Sequence, residues 1–535
     1  MSERVIVTVN EGRVRGIKQT SHYSSTEYYS FFAVPYGQPP ENHLRFKDPV
    51  KVKPWKNIYE ATVEKQGCAQ FSHQTYQLLG TEDCLYSNIH TPKLPKKGDP
   101  LKPVIVNIHP GAFVYGSPDP NQYGNPAFIM NRDVVYVGIA YRLHILGFLN
   151  LRMKECSGNQ GIKDIILGLE WIKSNIHFFG GDPDNITLLG SSSGGIVIQM
   201  LMVSPRSQGL FHKVVVMGCY LFSPVLPFEE ENSHYAVKIS QELGFNSSDD
   251  DFKKILTFLR KIPAQILVQQ TKKHDRANYA KQAAIFPTCV FLPTLDYGDK
   301  AVLPEHPRKL LQSSMKIPVL FGITERESVM GFCRGDLVLG THLHFANSYC
   351  QNSMGWGYHL SEEQVQENYE KIKSFYQLSN PIENVKLSLK VDVQTDAAFS
   401  DIYDTMIDFV APSATYVYKF EFEGEIKSTK DTIEVLLRES LPGSFHGSDF
   451  SYWNYVSDPL NKETQQMVEH FTKFISAFAK SGDPNYENCP VKWIPSTPET
   501  PRYLSINSTM RMVDGRLNHA RFIFWDTLKK YSQNK

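Results

Sequence analysis

Residues 180–204, GGDPDNITLLGSSSGGIVIQMLMVS, constrain this chain more than any other stretch. The short apolar run Ile186–Leu189 meets Gly190-Ser191-Ser192-Ser193-Gly194, and an apolar segment without proline, Gly195–Met202, follows. That order reads as strand, sharp turn and helix. A G-x-S-x-G turn in this setting forces its central serine into a strained backbone conformation, so that the hydroxyl projects from the end of the sheet. The flanking glycines remove side chains that would collide with the adjoining strand and helix. Ser192 is the central residue, and Ser193 is next to offer a backbone N–H. A serine- and glycine-rich loop would carry the same letters, but it would lack the flanking strand and helix patterns.

Bulk properties narrow the setting. Lys plus Arg and Asp plus Glu both number 56, so the net charge is zero and no nucleic-acid partner is expected. No stretch reaches the ~18 uninterrupted apolar residues of a membrane span, so no membrane anchor is expected. The opening MSERVIVTVNE has no basic lead followed by a long apolar core, which makes the cytosol the simplest expected compartment. The eight cysteines include no C-x-x-C pair, so no zinc site or other metal is expected, and in a reducing cytosol the thiols should be free. A length of 535 residues suggests two to four domains. No proline-, glycine- or serine-rich linker, internal repeat or low-complexity tract divides the chain, so a single domain over 1–535 is expected.

Taken in order, Val5–Val9 and Arg13–Ile17 flank Asn10-Glu11-Gly12 as a hairpin. Tyr28–Pro35 is a strand, and residues 38–103 read as irregular surface structure. Val104–Ile108 and Val134–Ala140 have the continuous apolar pattern of buried strands. Ile162–Phe179 has helical period and stops at Gly180-Gly181-Asp182-Pro183. Val214–Met217, Ile317–Thr324 and Tyr416–Phe422 are further strands. Two or three helices are expected in 230–314, mostly helix in 361–414, and an amphipathic helix over Thr464–Ala479. Strands alternating with helices mean βαβ units and a largely parallel sheet, an α/β fold.

An activated serine needs a base, an acid to orient the base, and N–H donors for the oxyanion. On this kind of elbow the acid and base follow the serine in the chain. The strand Ile317–Thr324 ends in Glu325-Arg326-Glu327-Ser328, and either glutamate fits the acid by position. A solvated charged turn is an equally good reading of each. Among the later histidines, His446 lies in the glycine-containing loop PGSFHGSD, suited to presenting a side chain, whereas His470 sits on a helix and reads as a surface residue. His109-Pro110-Gly111-Ala112-Phe113 follows the strand Val104–Ile108, and its small residues let N–H groups approach a substrate oxygen.

Nearly end to end, the chain resembles the type-B carboxylesterase/cholinesterase family of α/β-hydrolases, most of all insect α-esterase-type carboxylesterases. The stretches that carry the resemblance are PYGQPP, LRFKDP, GTEDCLYSNIHTP, VIVNIHPGAF, NQGIKDIILGLEWIKSNIHFFGGDPDNITLLGSSSGG, GLFHKVVVMG, VLPEHPRKLL and FHGSDFSYW. The resemblance implies Ser192 as nucleophile, His446 as base and, counted from Gly322 in the G-x-x-x-x-E pattern, Glu327 as acid. It places the oxyanion donors on Gly111, Ala112 and Ser193, and two buried ion pairs on Arg45 with Glu82 and Arg142 with Asp164. Cys68 and Cys84 match a family disulfide loop, expected here to be reduced. Four positions depart from the family pattern: Ser191 stands where Glu is usual before the nucleophile, and Pro110 replaces the first glycine of the oxyanion loop. Gly218 replaces the serine that usually bonds the acid, and Ser328 replaces the glycine after it.

The expected chemistry is hydrolysis of hydrophobic carboxylic esters through an acyl-enzyme, without cofactor or metal, and with organophosphates as agents that phosphorylate Ser192. Two rivals are an esterase-like binding protein without activity and a lipase or hormone-specific esterase of the same fold. Phe113, Tyr220, Phe222 and Phe291 are the expected lining of an apolar pocket over Ser192, although any one of these aromatics is as readily ordinary core. Val225 stands near a position where the family often has tryptophan, which predicts a roomier acyl side.

Overall fold

β-Branched runs supply the centre of the sheet, and buried polar runs supply one of its flanks. In the computed structural model, residues 3–72, 77–222, 226, 228, 232–246, 251–282, 289–328, 361–378, 386–400, 413–426, 441–454 and 460–533 are described. Among these residues, thirteen strands join one sheet. Its middle is parallel: Val135–Ile139, Lys102–Ile108, Gly181–Ser191, Lys213–Met217, Val319–Thr324, Thr415–Phe420 and Arg502–Ile506 lie side by side in that order. Every residue of Val135–Ile139, Lys213–Met217, Val319–Thr324 and Thr415–Phe420 is buried. Continuous burial is what a parallel sheet covered by helices on both faces demands, and it explains the unbroken apolar runs.

The flank beyond Val135–Ile139 is antiparallel and is built from Tyr86–Thr91, Glu27–Pro35, Gly12–Thr20 and Arg4–Val9. The expected hairpin around Asn10 is present, with Val9 opposite Gly12. Tyr86–Thr91, sequence YSNIHT, corrects the reading of 38–103 as irregular. All six of its residues are buried although four of them are polar, so no apolar period marks it. Asn88 and one side of His90 are partnered: Asn88 accepts from the Ala33 N–H at 2.8 Å and donates to Glu64 at 2.8 and 2.9 Å, and His90 Nδ1 lies 2.8 Å from Ser30 Oγ, whereas Ser87 Oγ and His90 Nε2 have no hydrogen-bond partner among the described residues.

The helix Gln160–Asn175 continues as a 3-10 turn, Ile176–Phe179, and ends at Gly180 with φ 85°, a conformation that favours glycine. The amphipathic helix Lys462–Ser481 stops at Gly482, as its sequence predicts. No described helix is long and apolar enough to cross a membrane, and no described group of three or more His, Cys, Asp or Glu could hold a metal ion.

Both expected ion pairs are formed. Arg142 meets Asp164 in a fork, Nε to Oδ2 at 2.8 Å and Nη2 to Oδ1 at 2.6 Å, with side chains 3% and 0% exposed. Its backbone N–H also donates to Asp164 at 3.0 Å, and its Nη1 donates to the Lys47 carbonyl at 2.8 Å. Arg45 makes the same fork to Glu82 at 2.6 and 2.5 Å, and its Nη1 caps the carbonyls of Leu259, Arg260 and Ile262. Cys68 and Cys84 lie beside these pairs and are joined, with an S–S length of 2.02 Å. This corrects the expectation of reduced thiols, which rested on the compartment. The fold brings the two Cα atoms to 5.0 Å, within the span of a disulfide. Among the described residues, Cys156, Cys219 and Cys489 stand outside any disulfide.

Removing one charge of the Arg142–Asp164 pair strands the other where water cannot reach it. Asp164→Ala should lower the unfolding free energy by ~3–5 kcal/mol, read from the denaturation midpoint in urea. A loss below about 1 kcal/mol would mean that Arg142 finds solvent or another carboxylate.

Candidate active site

Register decides where the candidate residues meet. Ile108 pairs with Gly190, Ser191 with Met217, and Met217 with Gly322, so four neighbouring parallel strands end at one level. The segments that follow them are His109–Phe113, Ser192, Gly218–Phe222 and Glu325–Ser328. Binding sites of open α/β sheets form at these carboxyl ends.

Ser192 has φ 54° and ψ −130° and directly precedes the helix Ser193–Val203. A left-handed φ costs about 1–2 kcal/mol for a non-glycine residue, and the surroundings must hold it. They do so from two sides. The Ser192 N–H donates to the Met217 carbonyl at 3.0 Å, and its carbonyl accepts from the Ile196 N–H at 3.1 Å. The glycines around it mark close contacts. A side chain at Gly190 would strike the backbone of Gly194, one at Gly194 would strike the Ile108 carbonyl, and one at Gly195 would strike Cys219 Sγ. The start of the helix is therefore pressed against the end of the strand Lys102–Ile108, where the His109–Phe113 turn begins.

In that turn Gly111 has φ 124°, Ala112 52° and Phe113 65°. The Gly111 carbonyl accepts from the Val114 and Tyr115 N–H groups at 2.9 and 3.1 Å. His109 is buried, stacks on Tyr141 at 4.2 Å, and places Nδ1 2.8 Å from the Pro110 carbonyl. Burial holds its pKa down at about 4, so it is a neutral strut in the turn that Pro110 enters. As the first residue of a helix, Ser193 has an N–H without an intrahelical acceptor. It lies beside the turn through the Gly194–Ile108 contact.

Of the two glutamates, Glu327 is the one brought to His446. Its Oε2 lies 2.6 Å from His446 Nδ1, with Glu327 0% exposed and the histidine side chain 19% exposed. Its Oε1 accepts from the Thr324 N–H at 2.5 Å, so the oxygen that the missing hydroxyl at Gly218 leaves open is satisfied by backbone. Gly218 has φ 58°, and a Cβ there would sit 3.0 and 3.1 Å from the two carboxylate oxygens and 3.3 Å from His446 Nδ1. Glu325 points elsewhere. Its N–H donates to Ser444 Oγ at 3.0 Å and its carboxylate lies 3.2 Å from Arg326. Ser328 is buried, and its N–H donates to Thr395 Oγ1 at 3.2 Å. Ser191 is buried in the strand end.

Burial by itself would lower the pKa of His446. The hydrogen bond and charge of Glu327, with a further contribution from Asp449, outweigh burial and raise it. Asp449 is a second buried carboxyl that spacing arguments passed over, although it stands three residues after His446 in HGSD. It accepts from Tyr418 Oη at 2.6 Å and from the Phe450 N–H at 2.8 Å. Burial, then the charge of Glu327, pushes its pKa up to about 7. Gly322 makes room for the Tyr418 ring, since a side chain there would occupy it. Within this cluster Ser192, His446 and Ala112 keep partial exposure, whereas Ser191, Ser193, Glu327 and Asp449 are buried. The groups left accessible are a hydroxyl-bearing elbow, an imidazole oriented from behind and a turn of backbone donors, which together can run acyl transfer.

The expected pocket aromatics are packed in the core. Phe113, Tyr220, Phe222 and Phe291 are 2%, 1%, 5% and 0% exposed. Phe113 meets Phe148 edge to face at 5.3 Å, Tyr220 meets Phe222 at 5.5 Å, and Phe291 meets Tyr235 at 6.3 Å. Arg308 lies 4.4 Å over the Phe222 ring. The Phe291 segment does reach the turn, since Cys289 Sγ lies 3.5 Å from the Ala112 carbonyl. Val225 lies outside the described residues.

Comparison with known proteins agrees with this geometry. Residues 3–525 match the carboxylesterase family. Esterase E4 of Myzus persicae is 30% identical over 516 residues, covering 91% of this chain and 88% of that protein. Juvenile hormone esterase of Heliothis virescens is 30% identical over 343 residues, covering 61% and 58%. Among solved structures, juvenile hormone esterase from Manduca sexta, with OTFP covalently attached, superposes with a TM-score of 0.82 at 24% identity and 100% coverage of both chains. PNB esterase superposes with a TM-score of 0.74 at 26% identity, covering 95% of this chain and 97% of that one. The strand–elbow–helix core, the strand-end cluster and a family match that spans nearly the whole chain lead to one conclusion: this protein belongs to the carboxylesterase family and is a carboxylic ester hydrolase of the α/β-hydrolase fold.

Proposed function

We propose that the chain works as one hydrolase domain in which Ser192 is the nucleophile, His446 the general base and Glu327 the residue that orients it. The observation that carries this reading is the 2.6 Å contact between His446 Nδ1 and the buried Glu327, formed at the strand end beside Ser192. With Nδ1 engaged by the carboxylate, Nε2 is the nitrogen left to take the Ser192 proton as the hydroxyl attacks an ester carbonyl. The N–H groups of Gly111, Ala112 and Ser193 then hold the oxyanion. The imidazolium returns its proton to the departing alcohol, and a water activated by the same imidazole hydrolyses the acyl-enzyme. Hydrophobic esters, including xenobiotic ones, are the proposed substrates, and organophosphates are proposed to phosphorylate Ser192. A role in detoxification follows from that pairing. The likeness to juvenile hormone esterases favours a second reading, a hormone-type ester, and a substrate series varied in acyl and alcohol length separates the two.

Ser192→Ala should lower turnover of a p-nitrophenyl ester by roughly 10⁶-fold, with the denaturation midpoint unchanged because one small residue replaces another. Retention of most activity would overturn the assignment of the nucleophile.

The base must be neutral to accept a proton, so kcat/KM should fall as pH drops through the pKa of His446. Because Glu327 raises that pKa, the acid limb should lie above the ordinary histidine value of about 6.5. Glu327→Gln should move the limb to lower pH and reduce kcat by roughly 10⁴-fold. An unmoved limb would show that Glu327 does not act on the base.

The acyl side is proposed to be roomy at Val225. Val225→Trp should slow butyryl and branched-acyl esters more than the acetyl ester of the same alcohol, and an equal effect on all would remove Val225 from the pocket wall.

A further inference from the structure

We propose that Arg326 is a positioning residue, a clamp that fixes the loop carrying Glu327 against the loop carrying His446. The inference rests on the catalytic reading above and extends it to a residue outside the triad.

The two loops come from distant parts of the chain and meet in a short parallel bridge, Arg326 to Phe445. The Arg326 N–H donates to the Ser444 carbonyl at 3.0 Å, and the Glu325 N–H donates to Ser444 Oγ at 3.0 Å. The Arg326 side chain, 8% exposed as a residue, then ties three elements together. Its Nη1 donates to the Pro442 carbonyl, four residues before the base, and lies 3.2 Å from Glu325 Oε1. Its Nε lies 3.0 Å from Asp392 Oδ1 on the helix Leu387–Phe399. The same helix reaches the other side of the acid through Thr395, which accepts from the Ser328 N–H. The helix is itself anchored to the C-terminal helix His519–Gln533, since Arg521 Nε lies 3.0 Å from Asp396. Glu327 is thus bracketed on both sides by contacts to one helix.

Gly443 shows how tightly the clamp is set. It has φ 90°, and a side chain there would collide with the Glu325 carboxylate and with Arg326 Nη1. The base loop therefore lies directly on the guanidinium. The guanidinium donates to the Pro442 carbonyl and makes close ion-pair contacts with Glu325 and Asp392, the latter without hydrogen-bond geometry at Nε, and an ammonium on a flexible stem fixes such a set of contacts less firmly. The acid–base contact needs the two loops held to a fraction of an ångström, and a displacement of about 1 Å can cost about 10²-fold in rate.

The test compares Arg326→Met and Arg326→Lys with the wild type and with Ser192→Ala, using a p-nitrophenyl ester over a pH series and active-site titration with an organophosphate. Glu327 and Asp449 are the charged groups that act on His446. Positioning and charge effects therefore move the acid limb in opposite directions. Loosening the Glu327 contact lowers the pKa of His446, whereas mere removal of a nearby positive charge raises it. Arg326→Met should lower kcat by about 30–100-fold per titrated site, leave KM within about twofold, and shift the acid limb to lower pH. Arg326→Lys should restore part of kcat, ending about 3–10-fold below wild type, with a smaller shift in the same direction. A limb that moves upward, or a loss matched by fewer titratable sites with an unmoved limb, would overturn the proposal. If Arg326→Met does not fold, Arg326→Lys decides, and wild-type kcat with a wild-type limb overturns it. Activity retained by Ser192→Ala would instead overturn the catalytic reading itself.

Discussion

Ile108, Ser191, Met217 and Thr324 close four adjacent parallel strands, and the site depends on that shared level being kept. Parallel register places each following segment beside its neighbour without further design. Close approach between the segments then does the fine positioning. Gly190, Gly194 and Gly195 allow the elbow helix to start against the Ile108 carbonyl and Cys219, and the Met217 carbonyl receives the Ser192 N–H. A side chain at any of the three would drive the helix away and relax the positive φ of Ser192. The strain at the serine is maintained by the sheet.

The same economy of space explains how Glu327 works without the serine usual at position 218. Glycine there, at φ 58°, leaves room for the carboxylate to sit close against the backbone. The Thr324 N–H replaces the missing donor from within the loop itself. A side-chain donor from a neighbouring strand is exchanged for a backbone donor three residues away, which ties the orientation of the acid to its own turn. The consequence is a heavier demand on whatever fixes that turn. Arg326 and Thr395 meet it from outside.

How much of this was legible in sequence follows from what leaves a periodic or local trace. The parallel strands showed because burial on both faces requires apolar residues at every position, as in Lys213-Val214-Val215-Val216-Met217. The elbow showed because its glycines are required by contact, within a few residues of one another. Glu327 and Glu325 could not be separated by position, since both follow one strand end; the family pattern, and then the contact to His446, separated them. Tyr86–Thr91 stayed hidden because it buries Ser87, Asn88, His90 and Thr91, and the partners of Asn88 and His90 lie far along the chain. The Cys68–Cys84 bridge was misjudged because compartment was weighed ahead of the spacing of the two cysteines in space. Asp449 and Arg326 act through contacts to other elements, and no local pattern marks a residue whose partners, such as Tyr418, Asp392 and Pro442, lie 31 to 116 positions away.

The charged groups behind the imidazole complete the physical picture. Glu327, Asp449 and Tyr418 are all buried, and two carboxyls in one low-dielectric pocket cannot both ionise cheaply. The structure divides the work by hydrogen bonds. Glu327 receives the imidazole and a backbone N–H, while burial and then the charge of Glu327 push the pKa of Asp449 up to about 7. Near neutral pH Asp449 can therefore carry a proton. In the proposed mechanism the imidazolium of His446 forms beside Glu327 and within the influence of Asp449. Both respond in the direction that stabilises the transient cation. The base is thereby poised by its surroundings before a substrate arrives, and the rigidity of the two loops determines how much of that advantage reaches the reacting ester.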